Sequence, residues 1–166
     1  EIRRGDVTAP DTLAAALEGQ AVVIHAAGRV GDWGPRREFF RVNAQGTANV
    51  VAACRAAGVR RLAHLGSLTV LGLPRGGGVV DETTAPAAAP ADAYTASRIS
   101  GERIVLAAHG DGGLETVVIR CGLIWGPGEP TIHGPTPGPE HVAGSQAVPA
   151  RRNRAVHSAP QPTRVP

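Results

Sequence analysis

Lysine and methionine are both absent from this 166-residue chain, and tyrosine occurs once. Without a methionine, residue 1 is not an initiator, so the chain is expected to be an internal fragment or the mature part of something longer. All 17 basic residues are arginine, so any task that needs a lysine falls to arginine or goes unfilled. Two cysteines, Cys54 and Cys121, are too few and too far apart for a disulfide framework or a metal site. No apolar run approaches the roughly 18 residues of a membrane span, and no signal peptide is visible. A reducing cytoplasm is the default expectation, with no membrane partner. Residues 1–130 carry 13 charges of each sign, and the net +3 comes from four arginines and one glutamate in residues 131–166. That balance argues against a nucleic-acid surface on the folded part.

What is present alternates between strand and helix signals. "EIRR" reads as a short strand. Pro10 and Asp11 open a helix through "DTLAAALEG", with Gly19 at its stop. "AVVIHAAG" is a continuous apolar run, as in a strand covered on both faces. After the loop "GRVGDWG", Pro35 opens one long helix that ends near Gly58. "RRLAHLGS" is the next buried strand, a Gly- and Pro-rich loop follows, and a helix carries "DAYTASRISGERIV" before the strand "LETVVIRCG". This order predicts an α/β fold: a doubly wound parallel sheet with helices on both faces and ligands at the carboxyl ends of its strands. Residues 1–130 form the predicted domain. Residues 127–166 hold nine of the 14 prolines and show no period. The 131–166 tail is expected to be disordered or, the reading favoured by its abrupt start, the product of a slipped reading frame in GC-rich DNA.

Several ordered motifs carry the chemistry. They are "GDVTAPDTLAAAL", "VVIHAAG", "VNAQGTANVVAAC", "HLGSLTVLG", "YTASR" and "IRCGLIWGPG". Together they resemble the extended short-chain dehydrogenases/reductases, which include nucleotide-sugar epimerases and 3β-hydroxysteroid dehydrogenases. The resemblance covers about residues 1–130 and implies a Rossmann-like domain that binds NAD or NADP. It also implies that the first βαβ unit, with its glycine-rich phosphate loop, and the C-terminal substrate domain lie outside the sequence. As it stands, the chain is expected to hold cofactor poorly and to turn over nothing.

Tyr94 and Arg98 stand four apart and share one helix face. A phenol titrates near 10 in water, too high for a base near neutrality, and a cation beside it favours its ionised form. The resemblance makes Tyr94 the proton-exchanging group and puts Arg98 where the family has lysine. An arginine can hold charge and bind ribose hydroxyls but does not give up its proton, so weakened or altered catalysis is expected. Ser67, at a strand end, is implied as the hydroxyl that holds the substrate oxygen. The implied cofactor contacts are Asp6 and Val7 after the first strand, Ala26, Ala27 and Gly28 after the second, Asn43 on the long helix, and Tyr94 with Arg98. Each has a plainer alternative: a turn aspartate for Asp6, small residues for packing at 26–28, a structural hydrogen bond for Asn43. His25 reads as a satisfied core histidine. Cys121, where the family usually has proline, reads as a buried and inert thiol.

"GRVGDWGPRREFF" resembles the 3β-hydroxysteroid or sterol branch more than the sugar epimerases. The expected activity is hydride transfer between NAD(P) and a secondary alcohol or ketone on a hydrophobic small molecule. The alternatives are a nucleotide-sugar epimerase or dehydratase and a non-catalytic relative that kept the fold. The tyrosine helix could also support a homodimer.

Overall fold

The computed structural model describes residues 2–31, 33–72, 79–122 and 124. The 131–166 tail lies outside the described residues. Three parallel strands, β1 (Val22–His25), β2 (Arg61–Leu65) and β3 (Glu115–Ile119), form one sheet in the order β1-β2-β3. Val23 pairs with Leu62 and Leu62 with Thr116; His25 pairs with His64 and His64 with Val118. Parallel neighbours need helical crossovers. The first holds α2 (Arg36–Phe40), a π turn (Arg41–Gln45) and α3 (Gly46–Ala56); the second holds α4 (Ala93–Ala107). This is the Rossmann-like α/β arrangement that the alternation of signals predicts.

Pairing every second residue puts one row of each strand under the helices. Leu62, with Val50, Val51 and Cys54 of α3, Val105 of α4, Ala108 just after it, and Leu114, makes the core. Burial in this core pushes the Cys54 thiol up to about 11. The other row is open. Val22 is 51% and Ile24 69% exposed, and Val117 and Ile119 are nearly half exposed. The apolar run of β1 predicts cover on both faces, but α3 and α4 pack on one, and nothing described lies on the other.

Three further local expectations are corrected. Residues 2–4 form no strand, because no described strand lies beside them to complete a ladder; the Arg3 guanidinium donates instead to the Ala15 carbonyl. The expected helix from Asp11 splits into a 3₁₀ turn (Pro10–Thr12) and the single turn α1 (Ala14–Leu17), with only Leu13 buried between them. The long helix after Pro35 is interrupted by the π turn. Such insertions recur at functional sites, because they redirect side chains while keeping the helix continuous.

The π turn is locked against α4. A β-carbon added at Gly101 would lie 2.4 Å from the Asn43 carbonyl oxygen, so only glycine lets the two helices meet here. Asp92 caps α4, its Oδ1 accepting from the Thr95 N–H at 2.6 Å and its Oδ2 from the Thr95 hydroxyl at 2.9 Å. Next to Gly101 in the chain, the buried Glu102 carboxylate accepts two bonds from Arg120, at 2.7 and 3.1 Å. Arg120 also donates to the Thr84 carbonyl at 3.3 Å, so this pair ties α4, the end of β3 and the preceding loop. Removing one partner of a buried pair strands the other charge. Glu102→Ala is therefore expected to cost about 3–5 kcal/mol in a denaturant titration, and Glu102→Gln, which keeps one acceptor for Arg120, clearly less.

Candidate active site

Ala26, Ala27, Gly28, Ser67 and the Arg98 guanidinium lie at the carboxyl ends of β1 and β2. Leaving β1, Ala26, Ala27 and Gly28 are exposed and carry almost no side chain. Leaving β2, Ser67 is half-buried and caps the 3₁₀ turn Leu68–Leu71. Its Oγ accepts from the Thr69 N–H at 3.3 Å and shares a hydrogen bond with the Thr69 hydroxyl at 2.9 Å. Thr69, which sequence reasoning passed over, therefore sets the direction of the Ser67 hydroxyl. An i, i+2 pairing of hydroxyls at a strand end is the signal that could have found it.

Tyr94 is half-buried in the first turn of α4. Its ring meets Phe39 edge to face, with centroids 6.4 Å apart. One turn on, Arg98 is 7% exposed. Its guanidinium reaches across to the sheet, where Nη2 donates to the Leu65 carbonyl. A β-carbon added at Gly28 would lie 2.7 Å from Arg98 Nη1 and 3.4 Å from Asn43 Oδ1. Arg98 Nε is buried with no partner among the described residues. The longer, planar head thus spends part of its donor set on the protein's own backbone, where a compact ammonium would not need to.

Asn43 sits in the π turn, 1% exposed. Its Oδ1 accepts from the Arg29 N–H at 2.7 Å, and its Nδ2 donates to the Arg29 carbonyl at 3.0 Å and to Ser97 Oγ at 2.9 Å. Ser97 donates in turn to the Tyr94 carbonyl at 2.7 Å. One amide therefore joins the loop after β1, the π turn and the tyrosine helix. Ser97 was missed because a serine inside a helix usually serves its own backbone. Thr47 donates to the Asn43 carbonyl at 2.8 Å and so receives the Nε2 proton of His25 at 3.0 Å.

Asp6 and Val7 lie against the π turn and the start of α3, where Arg41 donates to the Thr8 hydroxyl at 3.0 Å. Asn49 donates to the Val7 carbonyl at 2.8 Å, and Gly46 leaves room for the Val7 side chain. The exposed Asp6 carboxylate accepts from the Thr8 N–H and hydroxyl, both at 2.8 Å, which holds it below the usual carboxylate range. That is the geometry of a turn aspartate. Among the described residues its carboxylate makes no hydrogen bond to Ser67, Tyr94 or Arg98. Cys121 is half-exposed, not buried as expected; its Sγ faces the Ile119 carbonyl at 3.7 Å. Among the described residues no group of His, Cys, Asp or Glu could hold a metal ion, and no helix is long and apolar enough to cross a membrane.

A scan of family models matches residues 1–136 to the 3-beta hydroxysteroid dehydrogenase/isomerase family. The chain belongs to that family. Among curated relatives, a 2-alkyl-3-oxoalkanoate reductase of Shewanella oneidensis is 33% identical over 78% of this chain and 35% of its own. A 3 beta-hydroxysteroid dehydrogenase/Delta 5-->4-isomerase of Mycobacterium tuberculosis is 36% identical over 80% of this chain and 38% of its own. Among solved structures, MoeE5 in complex with UDP-glucose and NAD is 31% identical, with a TM-score of 0.68, covering 76% of this chain and 43% of that one. The chain thus spans about a third of the length of the curated relatives it matches. The cofactor that goes with this family and fold is NAD(P). The residues fit it: at Gly28 a bare backbone and the Arg98 guanidinium meet with no side chain between them, so a flat ligand and its ribose can approach both.

Two electrostatic features lie beneath the site. His25 and His64 are buried near Arg98, with ring centroids 5.0 Å apart and planes tilted by 43°. Burial, then the Arg98 charge, lowers His25 to about 4; burial, then His25 and Arg98, lowers His64 to about 3. Both are neutral in the folded state near pH 7, whereas in the unfolded chain they take up protons below about 6.5. The unfolded state therefore binds more protons from about pH 6.5 down through these folded values, and stability falls with pH across that window. Melting curves between pH 7 and 4 are expected to show this loss, and His64→Phe, which keeps the ring volume, to flatten it. Asn43→Ala leaves both Arg29 backbone groups without their partner. It is expected to cost about 1–3 kcal/mol and to release the loop after β1, read as faster hydrogen exchange there.

Proposed function

We propose that this chain is the partial cofactor-binding domain of an NAD(P)-dependent oxidoreductase that interconverts a secondary alcohol and a ketone on a hydrophobic substrate, in the manner of the 3β-hydroxysteroid dehydrogenases. The reading is supported by Ser67 just after the carboxyl end of β2, Arg98 donating to the Leu65 carbonyl of that strand, and Tyr94 one turn before Arg98 on α4. In this reading Ala26, Ala27, Gly28, Asn43, Tyr94 and Arg98 face the cofactor, and Asp6 with Val7 borders its adenine end. Bound NAD(P) supplies or accepts the hydride. Ser67, its hydroxyl aimed by Thr69, holds the substrate oxygen. Tyr94 gives that oxygen its proton in reduction and takes it back in oxidation. Arg98 keeps a positive charge one turn away on the same helix. It cannot pass the proton on, as a lysine could.

The hydrophobic substrate is supported by a cavity of about 1020 Å³ beside Thr69, lined by Leu68, Leu71, Ala87 and Ala88 among others. The relatives named above point the same way, since sterols and alkylated oxo acids both join a ketone or carbinol to a large apolar body. A nucleotide-sugar epimerase or dehydratase is the second reading, favoured by the likeness to MoeE5.

The test uses the whole protein. Tyr94→Phe is expected to lower kcat by about 10²–10⁴-fold in a nicotinamide absorbance assay with a steroid or long-chain ketone. Arg98→Lys is expected to raise it, because the ammonium restores proton transfer. No turnover of any ketone by the wild type, together with conversion of a nucleotide sugar, would replace this reading with the second.

A further inference from the structure

Beneath the candidate site, three polar atoms are buried with no hydrogen-bond partner among the described residues: both ring nitrogens of His64, and Nε of Arg98. His64 is 1% and Arg98 7% exposed, so bulk solvent does not serve them. Buried polar groups in native proteins are nearly always paired, with protein or with ordered water. The three atoms share one neighbourhood. His64 precedes Leu65 at the end of β2, and the Leu65 carbonyl accepts from Arg98 Nη2. Two residues on from Leu62, the His64 ring stands on the same helix-covered face of the sheet. In a guanidinium, the Nε–H and one Nη2–H leave from the same edge, a fork that suits two acceptors side by side. Here Nη2 has its acceptor and Nε does not. The neighbouring His25 is already engaged, since its Nε2 donates to the Thr47 hydroxyl. Burial, with His25 and Arg98 close by, holds His64 neutral near pH 7. Its ring therefore carries one N–H and one bare acceptor nitrogen.

We infer that His64 is a positioning residue for Arg98, acting through one water that accepts from Arg98 Nε and donates to the bare nitrogen of His64. An enclosed water with polar partners is the usual means by which such buried groups are satisfied. The consequence is mechanical. A guanidinium held at Nη2 alone can swivel about that bond. Held at Nε and Nη2 together, it lies edge-on to the end of β2. Nη1 then stays at the bare backbone of Gly28, where an added β-carbon would lie 2.7 Å from it. The effect on cofactor rests on the oxidoreductase reading above, in which Arg98 serves the ribose; the water itself does not. A lysine at this position would have no Nε and no use for His64.

The experiment uses the whole protein and follows NAD and NADP binding by titration calorimetry, with turnover of a steroid or long-chain ketone measured alongside. Wild type, His64→Phe and His64→Gln are each compared with Arg98 in place and with Arg98→Lys. His64→Phe is expected to raise the cofactor Kd roughly 3- to 10-fold, the loss of about one hydrogen bond, with the ketone KM nearly unchanged. His64→Gln, whose amide can hold the water, recovers most of that loss. In the Arg98→Lys background His64→Phe changes the Kd by less than about twofold, because the group it acts through is gone. A high-resolution crystal structure of the wild type, which does not depend on His64→Phe folding, shows a water about 2.7–3.2 Å from Arg98 Nε and from a His64 nitrogen. An equal rise in Kd in both backgrounds, or a Gln variant as weak as Phe, marks a packing effect and overturns the inference. So does an Nε found dry or bonded to the protein. Ketone turnover with a cofactor Kd indifferent to His64 overturns it and leaves the oxidoreductase reading standing. His64-dependent cofactor binding without turnover of any ketone keeps the inference and removes that reading. A whole protein that binds neither nicotinamide removes both.

Discussion

A single buried amide, Asn43, holds the candidate site together. It lies where the helix after Pro35 departs from α geometry. The π turn presents its side chain to the loop after β1 on one side and to Ser97 of α4 on the other. Those contacts fix where the Arg29 backbone stands, and through Ser97 they reach the Tyr94 carbonyl. The close approach needs Gly101, because any larger residue would strike the Asn43 carbonyl. A buried amide in this position must satisfy both its donor and its acceptor, and here it does so with two partners on different elements. That makes it a registration device as much as a stabilising one.

Charge is handled differently on the two sides of Arg98. Toward the sheet, the guanidinium meets the Leu65 carbonyl and a neutral histidine pair, and among the described residues no carboxylate pairs with it. Toward the cleft, the same cation stands one turn from the phenol. The buried charges that need full pairing, Glu102 and Arg120, are placed at the other end of the helix contact with β3 and hold the scaffold.

The strand and helix order was legible because it depends on short-range patterns: apolar runs for the three strands, an aspartate cap at Asp92, glycine stops with positive φ at Gly19 and Gly58. The errors share a cause. A strand at residues 2–4 needs a partner strand, and cover on both faces of β1 needs a second helical layer; both depend on chain elsewhere. The π turn was hidden because "RVNAQGT" has ordinary helical residues, and it is tertiary packing against Gly101 that selects the wider turn. At the site, Ser67, Tyr94 and Arg98 were readable as motif residues. Thr69, Ser97, Phe39 and Arg29 were not, since their parts come from which side chains they meet.

The sequence by itself determined the residue types: one phenol, no lysine, a serine at a strand end, and small residues where a backbone must be approached. Those are covalent facts, and they leave arginine as the only strong cation that can stand beside the phenol. The tertiary structure decided the directions. It turned Arg98 onto the Leu65 carbonyl, set the Ser67 hydroxyl against Thr69, and laid Arg29 across the ring that touches Tyr94. A side chain's orientation depends on its neighbours in space, and the distances that bring them together arise only when parallel strands and their crossovers close.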